Sequence, residues 1–253
     1  MTRRRSAGFS LIEVLSAMAI LSIIVLLVAR LFADSTQTWK VGSRRVDQDF
    51  NARAALELIG RQLTMAMVDT VLTMRVQSGP NDFFGNPSHR VTFASFDQRA
   101  EIRNQMPYRD VQQVQYRLVP PTTNPPVGWM LVRFVTQNER LTVYECYKRR
   151  DWTGVMDAYL PEYGNVVAEH VARFNVYVYV PGPGGAPIRV DDYNSAVHPP
   201  PLWMDIVMFL MDEDDAIRAA HLEGTARSNY LQRNVRRYVH RAFPHNWPGM
   251  NKF

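Results

Sequence analysis

The most regular pattern along the chain is an almost uninterrupted apolar run from Phe9 to Ala29. Its 21 residues would form a helix roughly 30 Å long, which matches the hydrocarbon thickness of a bilayer. One carboxylate, Glu13, interrupts the run. Because a charge inside a membrane helix costs about 2.5–3.5 kcal/mol on insertion scales, such a residue usually has a partner. The run therefore predicts a membrane helix in which Glu13 has a specific task.

An amphipathic helical pattern continues beyond this run to about Val68. One apolar stripe of the continued helix is formed by Trp39, Val46 and Phe50. A second stripe, displaced by roughly 120°, is formed by Leu56, Ile59, Leu63 and Met67. Two interpretations stay open. Either the first stripe faces neighbouring helices and the second packs on a sheet, or one wide amphipathic helix packs against a single domain.

After about residue 75 the pattern changes to the alternation that is typical of half-buried strands. The strand-like segments are residues 89–96, 114–119, 129–135, 141–148, 173–180, 203–211 and 235–243. In the fifth, the apolar face is Phe174, Val176, Val178 and Val180, and Asn175, Tyr177 and Tyr179 take the other. Turn-rich pieces separate them at 78–87, 120–128 and 181–201. The sequence predicts an α+β protein, with a long N-terminal helix followed by a mostly antiparallel β domain.

Composition and charge exclude some functional classes. The single cysteine, Cys146, excludes an internal disulfide framework and a Cys-rich zinc site, and we expect it to be a small half-buried strand residue. Three of the charges behind the formal net charge of +5 are the arginines at 3–5. Without them, 5 − 3 leaves about +2, so the overall charge indicates little about nucleic acid.

The ends of the apolar run bear on its orientation and processing. The arginines at 3–5 favour a cytoplasmic N-terminus, but Arg30 and the basic residues at 40, 44 and 45 follow the run. An ordinary secretory signal would need small residues at the −1 and −3 positions of a cleavage site. With Ala33 at −1, the −3 position is Leu31. A cleaved secretory signal is therefore disfavoured, and charge counting alone leaves the orientation undecided.

The stretch RRRSAGFSLIEV, residues 3–14, resembles the processing site of type IV prepilins and of type II secretion pseudopilins. The resemblance implies a leader that ends at Gly8, cleavage by an aspartyl prepilin peptidase/methyltransferase on the cytoplasmic side, and a mature chain that begins with N-methylated Phe9. It also implies that Glu13 is an assembly contact, which pairs with the Phe9 amine of a neighbouring subunit and sets the helix register. That amine is positively charged near neutral pH. Each charge alone is costly in the membrane, so pairing would favour association.

Later segments of the chain resemble two particular subtypes within this family. Residues 52–67, and then 170–180, 200–215 and 234–243 in order, resemble the helix end and closing strands of J-type minor pseudopilins and W-type minor pilins. The chain departs from that pattern in extra loops near 76–88 and 181–201. The predicted domains are a leader at 1–8, a transmembrane assembly helix at 9–33, its amphipathic continuation at 34–75, and a periplasmic β-rich domain at 76–253.

The resemblance implies a minor pilin or pseudopilin, single-pass in the bacterial inner membrane, with a periplasmic C-terminal domain. The expected position is at or near the tip of a type II secretion pseudopilus or type IV pilus-like filament, because roughly 180 residues follow the helix, about one full domain. The implied partners are sibling pilins, the prepilin peptidase and an inner-membrane assembly platform. The alternative is a membrane-anchored periplasmic enzyme or binding protein, including a minor pilin that binds DNA for uptake.

The sequence offers little enzyme chemistry. It contains no GxSxG, HExxH, P-loop or GxGxxG pattern. The six histidines are scattered without a pair at ligand spacing on a predicted helix: His89, His170, His198, His221, His240 and His245. We therefore expect neither catalysis nor a cofactor.

An acidic and a basic cluster were the remaining candidates for binding sites. Asp212, Asp214 and Asp215, in the run DEDD with Glu213, are weak calcium ligand candidates beside Asp191 and Asp192. Their spacing matches no EF-hand, and acids in a hairpin turn after a strand are common. The basic cluster is Arg227, Arg233, Arg236, Arg237 and Arg241, interleaved with Tyr230 and Tyr238. Such clusters can bind single-stranded nucleic acid, but an edge strand whose charges oppose aggregation is favoured. Neither a metal nor nucleic acid is predicted.

Overall fold

The computed structural model describes residues 10–68, 72–96, 111–120, 128–135, 148 and 164–244. The chain divides into two compact units, Met1–Asp47 and Gln48–Phe253. Helix α1, Leu11–Thr64, contributes residues to both units. A long helix followed by an antiparallel sheet confirms the α+β prediction.

The part of α1 in the first unit is apolar and exposed. Its large apolar side chains from Leu11 to Phe32 are all accessible, as are Trp39 and Val46. Within the described part of the chain, α1 is the one helix long and apolar enough to cross a membrane, judged by length and composition. The predicted membrane segment is therefore helical from Leu11 onward, and its apolar side chains are exposed among the described residues.

The part of α1 in the second unit has one buried face. Its buried residues are Ala52, Ala55, Leu56, Ile59, Gly60 and Leu63, whereas Phe50 is 71% exposed. Leu56, Ile59 and Leu63 of the second predicted stripe thus pack on the sheet, whereas Met67 lies in a strand and not in the helix. The interpretation with one wide buried surface is wrong for Phe50. The helix ends at Thr64, earlier than the expected Val68, because Ala66 and Met67 pair as a strand with Ala94 and Ser95.

In the described part of the chain the sheet has ten strands. They are β1 Ala66–Met67, β2 Arg75–Asn81, β3 Pro87–Phe96, β4 Val111–Val119, β5 Trp129–Val135, β6 Asn165–Pro181, β7 Pro187–Val190, β8 Tyr193–Asn194, β9 Trp203–Leu210 and β10 Arg236–Ala242. Their order is β10-β9-β6-β5-β4-β3-β2-β8, with β1 paired to β3 and β7 to β6. All pairings are antiparallel, as predicted.

Six of the seven predicted strands are confirmed, and the seventh, 141–148 with Cys146, lies outside the described residues apart from Lys148. The expected loop near 76–88 is wrong, because most of it forms β2 and the start of β3. The expected loop at 181–201 contains β7, β8 and a short 3-10 turn at Pro183–Gly185. Gly and Pro in these segments weaken the strand signal, and pairing with neighbouring strands supplies the missing stabilisation.

The alternation predicted for β6 is confirmed. Phe174, Val176, Val178 and Val180 are all buried in the main core. On the opposite face, Tyr177 and Tyr179 are half-buried. The buried stripe of α1 and the apolar face of the sheet belong to one cluster, and burial of this apolar surface is the main driving force for the fold.

Two helices between β9 and β10 were not predicted: α2, Glu213–Ala220, and α3, Gly224–Asn234. The acids that were expected in a hairpin turn lie at the start of α2, where negative charge is favourable near a helix N-terminus. Ala216 and Ala219 of α2 and Leu231 of α3 pack with Phe83 in a second core cluster. That burial stabilises helices too short to form alone.

Helix α1 and strand β10 are joined by a polar contact. The hydroxyl of Tyr238 and a guanidinium nitrogen of Arg236, the latter at 3.2 Å, both donate to Oδ1 of Asp49. The Tyr238 hydrogen bond lowers the pKa of Asp49, while burial and that carboxylate raise the pKa of Tyr238 to about 12. This contact therefore contributes stability above the usual pKa of aspartate, and the contribution is lost as the pH falls through the lowered value.

Gly60 allows α1 to approach β10 closely. A Cβ at this position would overlap the imidazole of His240. We expect Gly60→Ala to lower the free energy of unfolding by about 1–3 kcal/mol through overpacking, despite the roughly 1 kcal/mol that alanine gains over glycine in a helix. In a His240→Ala background the same change should become neutral or stabilising. Chemical denaturation of the four variants tests this, and an equal loss in both backgrounds would contradict the close approach.

Candidate functional site

Of the predicted processing and assembly residues, the structure describes Glu13. Gly8 and Phe9 fall outside the described residues. Glu13 lies in the first turn of the helix, with Leu11, Ile12, Val14 and Leu15 exposed around it. A carboxylate on an exposed apolar helix is the arrangement in which a charged partner would have the largest effect.

Glu13 makes a reciprocal pair of hydrogen bonds with Ser10. The Ser10 backbone N–H donates to Glu13 Oε2 at 2.9 Å, and the Ser10 hydroxyl donates to the same oxygen at 3.0 Å. In return, the Glu13 backbone N–H lies 3.3 Å from Ser10 Oγ. This is a capping box, which satisfies backbone donors at a helix start. Sequence reasoning missed Ser10, although the spacing S-x-x-E before an apolar run is its signal.

The capping box leaves part of the Glu13 carboxylate available. Both bonds from Ser10 go to Oε2, and among the described residues no donor contacts Oε1. An ionised carboxylate has about four lone-pair sites, so it can accept a cap and a further charged donor together. The geometry therefore gives Glu13 a local structural role and leaves room for an intermolecular one.

The acidic residues that were weak calcium candidates do not form a metal site in the described structure. Two of them are engaged by other side chains. Asp212 precedes α2, and Asp215 accepts a 2.6 Å hydrogen bond from the Tyr230 hydroxyl. Asp191 pairs with Arg189 at 2.9 Å. Among the described residues, no three or more His, Cys, Asp or Glu side chains are grouped as a metal site would require.

The basic cluster is divided among several contacts. Arg227 and Arg233 belong to α3, and the Arg227 guanidinium lies 4.0 Å from the centre of the Phe83 ring. On β10, Arg236 faces Asp49. Arg241 forms a bidentate pair with Asp205 at 2.7 and 3.0 Å. As predicted, Arg237 and Arg241 share one face of the strand and Arg236 lies on the other.

A buried ion pair that the sequence did not indicate joins the β2–β3 turn to β6. The Asp82 side chain is fully buried, and its Oδ2 accepts a hydrogen bond from Arg173 Nε. Its Oδ1 accepts from the backbone N–H groups of Phe84 and Asn86, both at 2.9 Å. The Arg173 guanidinium also lies over the rings of Phe84 and Phe209, at 4.9 and 5.7 Å. These contacts give both Asp82 and Arg173 a structural role.

His89 is the most buried described histidine. Its Nδ1 lies 2.8 Å from the Val176 carbonyl oxygen and 3.1 Å from the Val176 nitrogen. Burial lowers the pKa of His89, which favours the neutral ring. The side chain thus joins β3 to β6, two strands that are not neighbours in the sheet. His245 lies outside the described residues.

Comparison with known proteins gives one match. Residues 3–29 match the prokaryotic N-terminal methylation motif, over the segment that contains Gly8, Phe9 and Glu13. Neither a curated protein nor a solved structure matches the chain. The motif supports the type IV prepilin-like family and a pilin-like subunit that prepilin peptidase processes.

Proposed function

We propose that this protein is a non-enzymatic minor pilin or pseudopilin. It is cleaved after Gly8, methylated on the Phe9 amine and assembled through α1 into a periplasmic filament. The observation that carries the proposal is the methylation motif at residues 3–29. The motif overlaps the exposed apolar part of α1, from Leu11 to Phe32, in which Glu13 is the one carboxylate.

The exposed surface of α1 supports assembly through the helix. In the first unit, apolar side chains from Leu11 to Phe32 are exposed all around the helix. Before assembly the membrane would cover them, and in a filament the helices of sibling subunits would. The Phe9 amine of a neighbour would bind Glu13 at the carboxylate oxygen that Ser10 leaves available. The pair would align two helices, since each charge alone is costly in an apolar medium.

In the proposed orientation the N-terminus lies in the cytoplasm and the globular domain lies in the periplasm. Cleavage by a cytoplasmic-side peptidase requires the arginines at 3–5 to remain in the cytoplasm, in agreement with the positive-inside rule. The unit Gln48–Phe253 then lies in the periplasm. Arg30 can extend its guanidinium to the far interface. The other partners are the prepilin peptidase/methyltransferase and an inner-membrane assembly platform.

The size of the second unit favours a position at or near the filament tip. A subunit that repeats along a shaft must pack against copies of itself at small axial steps. Here the sheet, with ten strands among the described residues, is accompanied by helices α2 and α3 and by the strands β7 and β8. This bulk is more easily accommodated at an end, where different siblings make heterologous contacts. The J-type pseudopilins and W-type pilins are the subtypes proposed.

The described ionisable groups support a structural function. Asp82 and Arg173 neutralise each other in the core, and His89 bridges two strands. Asp82, Arg173 and His89 therefore have structural partners, whereas catalysis requires acids and bases poised toward a substrate.

Mass spectrometry of the chain purified from membranes tests the proposal. We expect residues 1–8 to be missing and the mass of the new N-terminal peptide to include one methyl group on Phe9. A Gly8→Glu variant is the control, because a bulky charge at the cleavage position should block processing while leaving the apolar run intact. An unprocessed wild-type N-terminus, or cleavage beyond Ala29, would overturn the pilin proposal and favour a plain anchor or a secretory signal.

A further inference from the structure

Strand β10 forms a regular edge of the sheet. It pairs with β9 through seven consecutive residue pairs, from Arg236 with Leu210 to Ala242 with Met204, without a register shift. In the described part of the chain no strand pairs with its other side. The strand contains neither Pro nor Gly. An unpaired edge of this kind offers main-chain donors and acceptors to another strand.

The edge is held in place from the helix side. Arg236 and Tyr238 are bound to Asp49, and Ala242 is buried. Since these contacts and the β9 ladder fix the backbone, an incoming strand would meet a preorganised edge and lose less free energy to ordering.

On the face of β10 opposite to Arg236 and Tyr238, basic and apolar side chains alternate. Arg237, Val239 and Arg241 follow one another at every second position of β10, and Phe243 continues this spacing directly after the strand. Val239 is 50% exposed and Phe243 is 49% exposed. Arg241 is paired with Asp205, whereas Arg237 is exposed and has no partner among the described residues. The edge therefore presents apolar surface beside uncompensated positive charge.

This pattern disfavours a second copy of the same strand. In the fully overlapped antiparallel register, centred on Val239, each Arg237 would lie opposite Arg241 of the other copy. Like charges directly opposite each other destabilise a strand pair, and opposite charges contribute about 0.2–1 kcal/mol each. The complementary strand has acidic residues opposite the arginines and apolar residues opposite Val239 and Phe243.

We propose that the β10 edge is a docking site for an extended segment of another protein, in which acidic and apolar residues alternate. The segment adds to the sheet as an antiparallel strand next to β10. Main-chain hydrogen bonds supply affinity and the alternating side chains supply specificity, as in other strand-addition interfaces. The inference extends the proposed function and does not depend on processing at Gly8.

The test uses the full-length chain in detergent micelles and a fluorescent synthetic peptide, Thr-Val-Thr-Glu-Thr-Val-Thr-Glu-Thr. We expect saturable binding by fluorescence anisotropy, together with slower amide hydrogen exchange at residues 236–243. Arg237→Glu should weaken binding roughly tenfold, because it replaces an attractive cross-strand pair by a repulsive one. Arg233→Glu is the matched control, since it makes the same charge change at an exposed position on α3 and should leave binding unchanged.

Two altered peptides and an oligonucleotide separate strand addition from simple charge attraction. A peptide with Lys in place of Glu, and the acidic peptide N-methylated at alternate residues to remove its ladder donors, should both fail to bind. Binding of the N-methylated peptide at wild-type strength would overturn the proposal, as would no protection of residues 236–243. Tighter binding of a twelve-residue thymidine oligonucleotide, lost on Arg237→Glu, would also overturn it and assign the edge to nucleic acid.

Discussion

Glu13→Gln is expected to reduce incorporation of the protein into filaments or tip complexes by roughly tenfold or more. The amide can still cap the helix with Ser10, because glutamine replaces glutamate in a capping box, but it carries no charge to pair with a neighbour's Phe9 amine. Breaking a desolvated ion pair by removing one partner costs about 3–5 kcal/mol, and 1.4 kcal/mol already corresponds to a factor of ten. The measurement is the amount of protein recovered with sibling pilins, relative to the amount in the membrane.

Ser10→Ala is the matched control for this prediction. It removes the hydroxyl that contacts Glu13 and leaves the carboxylate charge. We expect this variant to be cleaved, methylated and incorporated close to wild-type levels, with a helix start destabilised by about 1 kcal/mol. If instead Ser10→Ala abolished incorporation while Glu13→Gln did not, Glu13 would be a helix cap and its assembly role would have to be abandoned.

Asp82→Ala is expected to lower the free energy of unfolding of the second unit by about 3 kcal/mol or more. The substitution leaves the Arg173 guanidinium, whose side chain is only 26% exposed, without its counter-charge. It also removes the acceptor for the backbone N–H groups of Phe84 and Asn86. Loss of one partner from a buried pair costs about 3–5 kcal/mol. Thermal or urea denaturation of the detergent-solubilised chain, followed by tryptophan fluorescence, measures the loss.

The Arg189–Asp191 pair provides the comparison. Both side chains are at least half exposed, so Asp191→Ala should change the free energy of unfolding by at most about 1 kcal/mol. Equal effects of the two aspartate variants would show that burial does not strengthen the Asp82 contact. In that case the β2–β3 turn would be held mainly by its main-chain bonds, including the one from the Phe83 nitrogen to the Ala172 carbonyl oxygen.

Features with strong local periodicity could be predicted from the sequence. The buried face of β6 follows from strict alternation in residues 173–180, and the buried stripe of α1 follows from the spacing of Leu56, Ile59 and Leu63. The processing motif could also be predicted from the sequence, but for a different reason. Recognition of this motif depends on a few residues at fixed offsets, from Gly8 to Glu13. The methylation motif found by comparison covers the same positions.

Features that depend on distant contacts could not be predicted. Helices α2 and α3 are polar and short, and they are stabilised by packing on Phe83 and Ala172 from other parts of the chain. Strand β8 has two residues and exists because β2 is beside it. The Asp82–Arg173 pair joins residues 91 positions apart, and nothing near either residue in the sequence indicates the other.

The contact between α1 and β10 has a consequence for biogenesis. Asp49 is bound by Arg236 and Tyr238, which follow it by 187 and 189 positions. A ribosome makes the helix well before β10, so the contact between them cannot form until residues 236–238 have been synthesised. Non-local closure of this kind is slow. Until then the buried face of α1 lacks its β10 neighbour, and the unit Gln48–Phe253 cannot complete its fold.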